Sequence, residues 1–316
     1  MPREHPQKPK RKSISKKTAV LYLSVMAAAV ISLLFLLFGS LSGGSKASVP
    51  VPDGSAAVYF VDVGQGDCTL IQACGKNILI DSGEYGEYDN VREFLDDRGV
   101  KTLDIAYITH PHSDHMGCMY KLLRKFGASE AIMPYIPDEL IPENVTYTAL
   151  LDVLAEQNIP LTTAKPGMTI ELGENCRLEI LAPVGTYDDL NNVSAAVKFV
   201  YGSTSFLVCG DIEAEAESDI LASGTDVSAD VIRTPHHGSS SSSTYAFIRA
   251  VSPRYAVFSA GTDNDYGHPH AQVVEHYRSY GAEIYRTDIN GDITFCTDGR
   301  DITVSVQKER ELPAAA

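Results

Sequence analysis

The sequence predicts an α/β protein in which two mixed β-sheets face each other with helices on the outside, preceded by one membrane-spanning helix. Short apolar runs typical of strands alternate with helical patterns. Each half of the body begins with strands joined by tight turns, which disfavours a single doubly wound parallel sheet. The third observation is an uncharged apolar run near the N-terminus, which predicts the membrane helix.

The N-terminal segment differs from the rest of the chain. A basic stretch, residues 1–17, precedes the uncharged run 18–38, which is long enough to span a bilayer. A basic flank predicts a cytoplasmic tail and an extracytoplasmic body. The alternative is a cleaved signal peptide, whose apolar region normally spans about 7–15 residues. The longer run favours an uncleaved signal anchor, which would make this a single-pass protein of the cell membrane.

The remainder divides into a flexible linker over 39–56, rich in Gly, Ser and Pro, a folded body over 57–306 and a tail over 307–316. Residues 1–46 carry a net charge of +7 and the whole chain carries −15, so the part after residue 46 carries −22. An acidic body argues against a broad phosphate-binding surface. A nucleic-acid substrate would have to be attracted by a local metal site.

The first half of the body opens with apolar runs separated by turns, followed by a helical pattern. Val91, Phe94 and Leu95 share one helix face, and Gly99 ends that helix. The predicted elements are strands over 57–63, 68–73 and 77–83, a helix over 88–99, a strand over 103–110 and a helix over 115–127.

The second half repeats this pattern with different residues. Its predicted strands cover 177–183, 194–202, 204–211, 229–235, 254–260, 282–287, 292–297 and 301–307, and its predicted helices cover 213–222, 244–251 and 271–281. The six cysteines are scattered without a C-x-x-C pair, which argues against a cysteine-rich zinc module and leaves disulfide pairing open.

The segment "YITHPHSDHMGC", residues 107–118, carries the strongest chemical signal. His110 and His112 lie two apart at a strand end, so both imidazoles can face one cation, while Asp114 and His115 begin the next helix and face a neighbouring point. Imidazole and carboxylate ligands without thiolates suit a zinc ion with an open, water-holding position. The alternative is a polar loop with surface histidines.

Other candidate residues also follow predicted strands. Seven of the nine histidines fall into three clusters, which favours one convergent site over scattered surface positions. The residues outside the first cluster are Asp81, Asp211, His236, His237, His268 and His270.

These motifs resemble the metallo-β-lactamase superfamily and, within it, the hydrolase domain of ComEC-type DNA-uptake competence proteins. The resemblance rests on "VDVGQGD", "ILIDSG", "THPHSDHMG", "NNVS", "CGD", "TPHHGSSSSS" and "YGHPH", in the family's order, and covers about residues 57–306. A secreted phosphorylcholine esterase branch is similar as well. The resemblance implies an αββα sandwich with two zinc ions between its sheets, Mn²⁺ being an alternative ion.

The resemblance also implies roles for individual residues. His110 and His112 would hold one ion, Asp114 and His115 the other, with Asp211 bridging them, and Asp81 would orient a ligand imidazole. His237 is expected to complete the second ion's ligands and His236 to contact substrate, although the two could exchange roles. Many members supply a third histidine near residue 191, where this chain has Asn191, so we expect the first ion to be weakly held.

Asp114, His236 and His268 are the candidate catalytic residues. His268 is favoured as a general acid or phosphate contact, the alternative being a loop-packing role. The serine run beginning at Ser239 either donates to a phosphate or caps the helix at Thr244. Asp67, in the "GQGD" turn, is expected to line the groove between the two sheets. The alternative is that a tight turn alone accounts for the glycines of this motif.

The principal hypothesis is a membrane-tethered, zinc-dependent phosphodiesterase, with DNA as the substrate that the family suggests. The second is a hydrolase of small phosphodiesters or cell-envelope esters. The third is a non-catalytic component of DNA uptake or of the envelope. With one apolar segment of spanning length, the chain is not expected to form a channel of its own, and its oligomeric state is open.

Overall fold

A computed structural model describes residues 51–309. The predicted tail 1–17, the predicted membrane helix 18–38, most of the predicted linker and residues 310–316 lie outside this range. Between residues 51 and 309, no helix combines the length and apolar character needed to cross a bilayer.

The first sheet has eight strands in the order β15-β14-β1-β2-β3-β4-β5-β6, numbered along the chain. The strands from β3 to β6 run parallel, and the other neighbours pair antiparallel. They are β1 (Ala56–Phe60), β2 (Thr69–Ala73), β3 (Lys76–Ile80), β4 (Leu103–Tyr107), β5 (Ala128–Pro134), β6 (Leu161–Ala164), β14 (Ile293–Thr297) and β15 (Ile302–Val306).

The second sheet has seven strands in the order β13-β12-β11-β10-β9-β8-β7. Here the strands from β10 to β13 run parallel and the rest antiparallel, as in the first sheet. They are β7 (Thr169–Gly173), β8 (Cys176–Ile180), β9 (Val197–Tyr201), β10 (Thr204–Val208), β11 (Val231–Arg233), β12 (Tyr255–Phe258) and β13 (Glu283–Arg286).

Helices follow the parallel strands. They are α1 (Tyr88–Asp97), α2 (Ser113–Met116), α3 (Met119–Phe126), α4 (Val145–Glu156), α5 (Ala214–Ala222), α6 (Tyr245–Val251), α7 (Ala271–Tyr280) and α8 (Thr287–Asn290). Short 3-10 turns cover Tyr85–Glu87, Asp138–Leu140 and Pro235–Gly238.

The two sheets pack face to face, as the sequence predicts. Phe206 of the second sheet meets Phe295 of the first edge to face, with ring centroids 6.1 Å apart. In β1, Val58 and Phe60 point into this inter-sheet core, whereas Ala57 and Tyr59 belong to the separate core beneath the outer helices. Because both faces of the strand are covered, all of β1 is buried, and the predicted two-sheet α/β sandwich is confirmed.

The helix predicted over 115–127 is divided into α2 and α3. Gly117 lies at the break, and a Cβ atom there would come within 2.3 Å of the Ser113 carbonyl oxygen and 2.4 Å of the Tyr85 amide nitrogen. The chain therefore needs glycine where the segment after β3 crosses the helix. Residues 128–173, for which the sequence predicted no element, contain β5, α4, β6 and β7.

All six cysteines have free thiols in this structure, and four of them are buried. The buried cysteines therefore behave as small core residues.

Candidate metal centre

The candidate site lies at the carboxyl ends of parallel strands from both sheets. Asp81 directly follows β3, His110 lies just beyond β4, Asp211 beyond β10, and His236 and His237 beyond β11. Carboxyl ends of parallel strands meet at one edge of a sheet, and this edge is the usual place for a ligand site in α/β folds. Because the two sheets face each other, two sets of strand-end residues that are distant in the chain come together.

Four side chains form the centre of the site. Donor atoms of Asp114, His115, Asp211 and His237 all lie within 4.8 Å of one another. His115 Nε2 is 3.2 Å and His237 Nε2 is 3.4 Å from Asp211 Oδ2, and His237 Nε2 is 3.2 Å from Asp114 Oδ2. Tetrahedral ligands at zinc distances are about 3.3 Å apart, so this set fits one cation.

His110 and His112 form a second, less complete group beside it. His110 Nε2 is 2.9 Å from His112 Nδ1 and 3.9 Å from Asp211 Oδ2, so Asp211 borders both groups. Asn191 instead donates from Nδ2 to Glu213 Oε1 at 3.4 Å. This contact turns the Asn191 amide toward Glu213. Asn191 is the position at which the sequence lacks a third histidine ligand for the first ion.

The chemistry of the four-residue group suits a divalent cation. Among residues 51–309, His115 Nε2 and Asp211 Oδ1 are buried without a hydrogen-bond partner. Burial by itself lowers the pKa of His237, but the carboxylates of Asp211 and Asp114 outweigh burial and raise this pKa to about 9. The same balance, with Asp211 and Asp114 again opposing burial, raises the pKa of His115 well above its ordinary value. A bound cation would take the place of those protons.

The His110 imidazole has the opposite character. Burial lowers the pKa of His110 well below its ordinary value, with the neighbouring His115 adding to the effect. The ring is therefore neutral at neutral pH, which is the form that binds metal.

Asp81 and Ser259 orient the two central imidazoles. Asp81 Oδ2 accepts from His115 Nδ1 at 2.9 Å, and Thr109 holds the same carboxylate through its amide at 2.8 Å and its hydroxyl at 2.6 Å. His237 Nδ1 lies 2.9 Å from the Ser259 carbonyl oxygen, which can only accept, and 2.8 Å from Arg233 Nη2. Both contacts direct Nε2 toward the centre, and the orienting role of Asp81 toward a metal ligand stays a prediction.

Arg233 is a residue that the sequence analysis missed. Its guanidinium is fully buried, pairs with Asp67, donates to the Gly210 carbonyl at 2.7 Å and lies 3.5 Å from Asp211 Oδ1. Asp67 therefore lies behind the centre as the partner of Arg233. The available signal was one arginine inside the otherwise apolar β11.

The doubled histidines lie in an unusual backbone turn. His236 and His237 have φ values of 49° and 53°, in the left-handed region that non-glycine residues seldom occupy. The turn aims both rings toward Asp211, with His236 Nε2 at 3.9 Å from Oδ2. His236 Nδ1 is 3.1 Å from Glu213 Oε1, and Glu213 is the second residue that the sequence analysis missed.

His268 faces the same groove. Its ring centroid is 5.6 Å from that of His236 and 6.2 Å from that of His237. Burial, followed by the neighbouring rings of His237 and His236, lowers the pKa of His268 to about 4. A neutral ring suits a hydrogen bond to substrate better than the donation of an imidazolium proton.

The serine run has a defined conformation. Ser239 Oγ contacts Ser241 Oγ at 2.9 Å, and the Ser240 amide donates to His270 Nδ1 at 2.9 Å. At its end, Thr244 Oγ1 accepts from the Phe247 amide and caps α6. Capping at Thr244 is thus observed, and phosphate binding by Ser239 stays a prediction.

The fold and this cluster define a two-sheet α/β protein with a candidate metal centre at its strand ends. A profile of the metallo-beta-lactamase superfamily matches residues 61–262, and the chain belongs to that superfamily. The αββα expectation is thereby confirmed.

Within the superfamily, the chain is similar to proteins named for competence. The chain is 28% identical to ComE operon protein 3 of Bacillus subtilis over 92% of its own length and 38% of that protein, and 28% identical to competence protein ComA of Neisseria gonorrhoeae over 78% and 33%. It spans about a third of the length of these relatives. Among solved structures, Igni18, a metallo hydrolase of Ignicoccus hospitalis, shares the fold with a TM-score of 0.51 and 15% identity, covering 76% of this chain and 98% of that one.

Proposed function

We propose that the protein is a metal-dependent phosphodiesterase that acts on nucleic acid outside the cytoplasmic membrane. The observation that carries the proposal is the convergence of Asp114, His115, Asp211 and His237 within 4.8 Å at the strand ends. The similarity to proteins named for competence and recombination supports nucleic acid as the substrate class.

Each candidate ligand has a place in this proposal. Asp114, His115, Asp211 and His237 would hold one ion, and His110 and His112 would hold a second that shares Asp211. Zinc is the expected metal, with Mn²⁺ as the alternative. When bound, such ions supply an activated water and offset the charge that develops on a phosphate.

The protein's own residues orient these groups. Asp81 and the Ser259 carbonyl fix which nitrogen of His115 and His237 faces the centre. Arg233 pairs with Asp67 and lies 3.5 Å from Asp211 Oδ1. The carboxylate of Asp211 is therefore held between the two ligand groups before any substrate arrives.

His236 is the residue we assign to proton delivery. Glu213 lies 3.1 Å from its Nδ1, which leaves Nε2 facing the groove, and the doubly protonated ring would deliver its Nε2 proton to the leaving oxygen. His268, neutral at neutral pH, would donate a hydrogen bond to a phosphate oxygen. This assignment reverses the preference for His268 as general acid that the sequence alone suggested.

Leaving-group chemistry tests the assignment of His236. His236→Gln should lower kcat by about 10²- to 10⁴-fold on an oligonucleotide, whose leaving alkoxide needs a proton. The same variant should lose much less on bis-p-nitrophenyl phosphate, because nitrophenolate leaves without protonation. Glu213→Gln should show the same split with a smaller loss. Equal losses on both substrates would assign His236 to metal or substrate binding instead.

The activity itself is tested on the full-length protein loaded with Zn²⁺ or Mn²⁺. We expect hydrolysis of bis-p-nitrophenyl phosphate and of a single-stranded oligonucleotide, and loss of both in the His110→Ala plus Asp211→Ala double variant. His276→Gln, a histidine variant on α7 outside the centre, is the matched control. Full activity of the double variant would exclude the proposed metal chemistry. Hydrolysis of the small ester with intact DNA would favour the envelope-ester alternative.

A further inference from the structure

A partly exposed aromatic and cationic patch lies on the segment after β3 and on α3, adjoining the helix α2 that carries Asp114 and His115. We name it the rim patch, and its members are Tyr85, Tyr120, Lys121 and Arg124. The rings of Tyr85 and Tyr120 are 6.5 Å apart at an interplanar angle of 26°. Lys121 Nζ lies 3.5 Å from the Tyr85 ring centroid, and the Arg124 guanidinium lies 5.7 Å from that of Tyr120. Tyr85 remains 53% exposed despite these contacts.

The rim patch is tied directly to the segments that carry the candidate ligands. The Ser82 amide donates to the His115 carbonyl at 2.6 Å, and Ser113 Oγ donates to Glu84 Oε1 at 3.1 Å. Gly117 allows α2 to touch the Tyr85 amide, where a Cβ atom would clash at 2.4 Å. The position of Tyr85 is thus set by the same helix that presents Asp114 and His115.

The charge of the rim patch contrasts with the acidic body. Within residues 51–309, Lys121 forms no ion pair with a carboxylate, and Arg124 forms an ion pair only with Glu156, at 3.5 Å. Both side chains of this pair are about half exposed. The nearest acids on the Tyr85 segment have other partners, since Glu84 accepts from Ser113 and Glu87 from Asn90. Lys121 therefore remains available to a phosphate, and Arg124 shares its exposed guanidinium with Glu156.

We propose that the rim patch binds the unpaired bases and phosphates of a single-stranded nucleic-acid segment adjoining the phosphodiester that is cut. This inference rests on the proposed function and defines its substrate. Tyr85 is 53% exposed and Tyr120 is partly exposed, so their rings can contact unpaired bases, whose faces a DNA duplex buries, and Lys121 and Arg124 can contact the backbone phosphates. A phosphorylcholine headgroup fits poorly, because the Lys121 ammonium already occupies the cation position over Tyr85 and would repel a quaternary ammonium.

Binding is measured first, with the full-length protein in EDTA so that no hydrolysis occurs. Fluorescence anisotropy of a labelled single-stranded oligonucleotide should show affinity falling by about 5- to 150-fold in Tyr85→Ala plus Tyr120→Ala. Lys121→Gln should reduce the slope of log affinity against log salt by about 0.7 for the phosphate contact it loses. Tyr280→Ala, an exposed tyrosine at the far end of α7, is the matched control.

Activity of the metal-loaded protein gives the second measurement. In the double tyrosine variant, the ratio of kcat/KM on the oligonucleotide to kcat/KM on bis-p-nitrophenyl phosphate should fall, mainly through KM. Unchanged binding and an unchanged ratio would overturn the rim-patch proposal while leaving the phosphodiesterase intact. Inactivity of the wild type toward both substrates would instead overturn the proposed function, with the EDTA binding result still deciding the patch. Loss of p-nitrophenyl phosphorylcholine hydrolysis in Tyr85→Ala would overturn the proposal in favour of a choline site.

Discussion

At the scale of single residues, Arg233 carries a charge that its buried partners must balance. Arg233→Met would leave Asp67 buried without its counter-ion, and breaking a buried pair in this way costs about 3–5 kcal/mol in the free energy of unfolding. Urea denaturation in EDTA measures the loss. Arg177→Met, which removes a surface ion pair with Glu179, should cost less than about 1 kcal/mol.

The Arg233 prediction has an internal check. Adding Asp67→Asn to Arg233→Met removes the stranded charge and should restore part of the lost stability. Equal losses of unfolding free energy in Arg233→Met and Arg177→Met would show that burying Asp67 without Arg233 does not destabilise the protein.

The raised pKa values of His115 and His237 predict that metal binding releases protons. His237, with a pKa of about 9, is protonated at neutral pH and must lose its proton to bind a metal ion. Metal affinity should therefore rise with pH, by about tenfold per unit for each proton released, until the pH passes about 9. Competition with a chromophoric chelator, measured between about pH 6.5 and 8.5, tests the sign and the slope.

Variants separate His237 from the other histidines in this titration. His237→Gln should lower the slope by about one proton, and His276→Gln should leave it unchanged. An affinity that does not change with pH would contradict the protonated state described for the metal-free centre.

At the scale of elements, Glu217 of α5 holds the end of the serine run. Its carboxylate accepts from the Ser243 amide at 2.5 Å and from the Thr244 amide at 2.9 Å, just before α6 begins. Glu217→Ala should cost about 1–3 kcal/mol for each amide left without a partner. Glu215→Ala, an exposed position on the same helix, should change the free energy of unfolding by less than about 0.5 kcal/mol. Equal urea midpoints for the two variants would contradict this role.

The elements also explain which site residues could be predicted from the sequence. His110, His112, Asp114 and His115 were predictable because they are close in the chain and follow one apolar strand. Arg233 and Glu213 were not, because their partners Asp67 and His236 lie on other elements and only the tertiary fold joins them. The break at Gly117 was missed for the same reason, since the clash that requires glycine involves the Tyr85 segment.

At the scale of the whole molecule, the two-sheet sandwich followed from the repeated order of hairpin strands and helices in each half. The sequence did not specify how the halves meet, because the pairing of Phe206 with Phe295 and the burial of both sheet faces depend on contacts between distant strands. That meeting brings Asp114 and His115, which follow β4 of one sheet, to Asp211 and His237, which follow β10 and β11 of the other. The centre is therefore a property of the assembled sandwich, and either half by itself should bind metal weakly.

The last prediction concerns where the whole molecule lies in the cell. The uncharged run 18–38 and its basic flank 1–17 predict a body tethered outside the membrane. The full-length protein should stay with membranes in alkaline carbonate, and protease added to spheroplasts should digest the body. Replacing Lys8, Lys10, Arg11, Lys12, Lys16 and Lys17 with neutral residues should leave membrane binding intact but reduce this protease access, because orientation depends on the basic flank. A mature chain that begins after residue 38 and separates from membranes would show instead that the segment is a cleaved signal peptide.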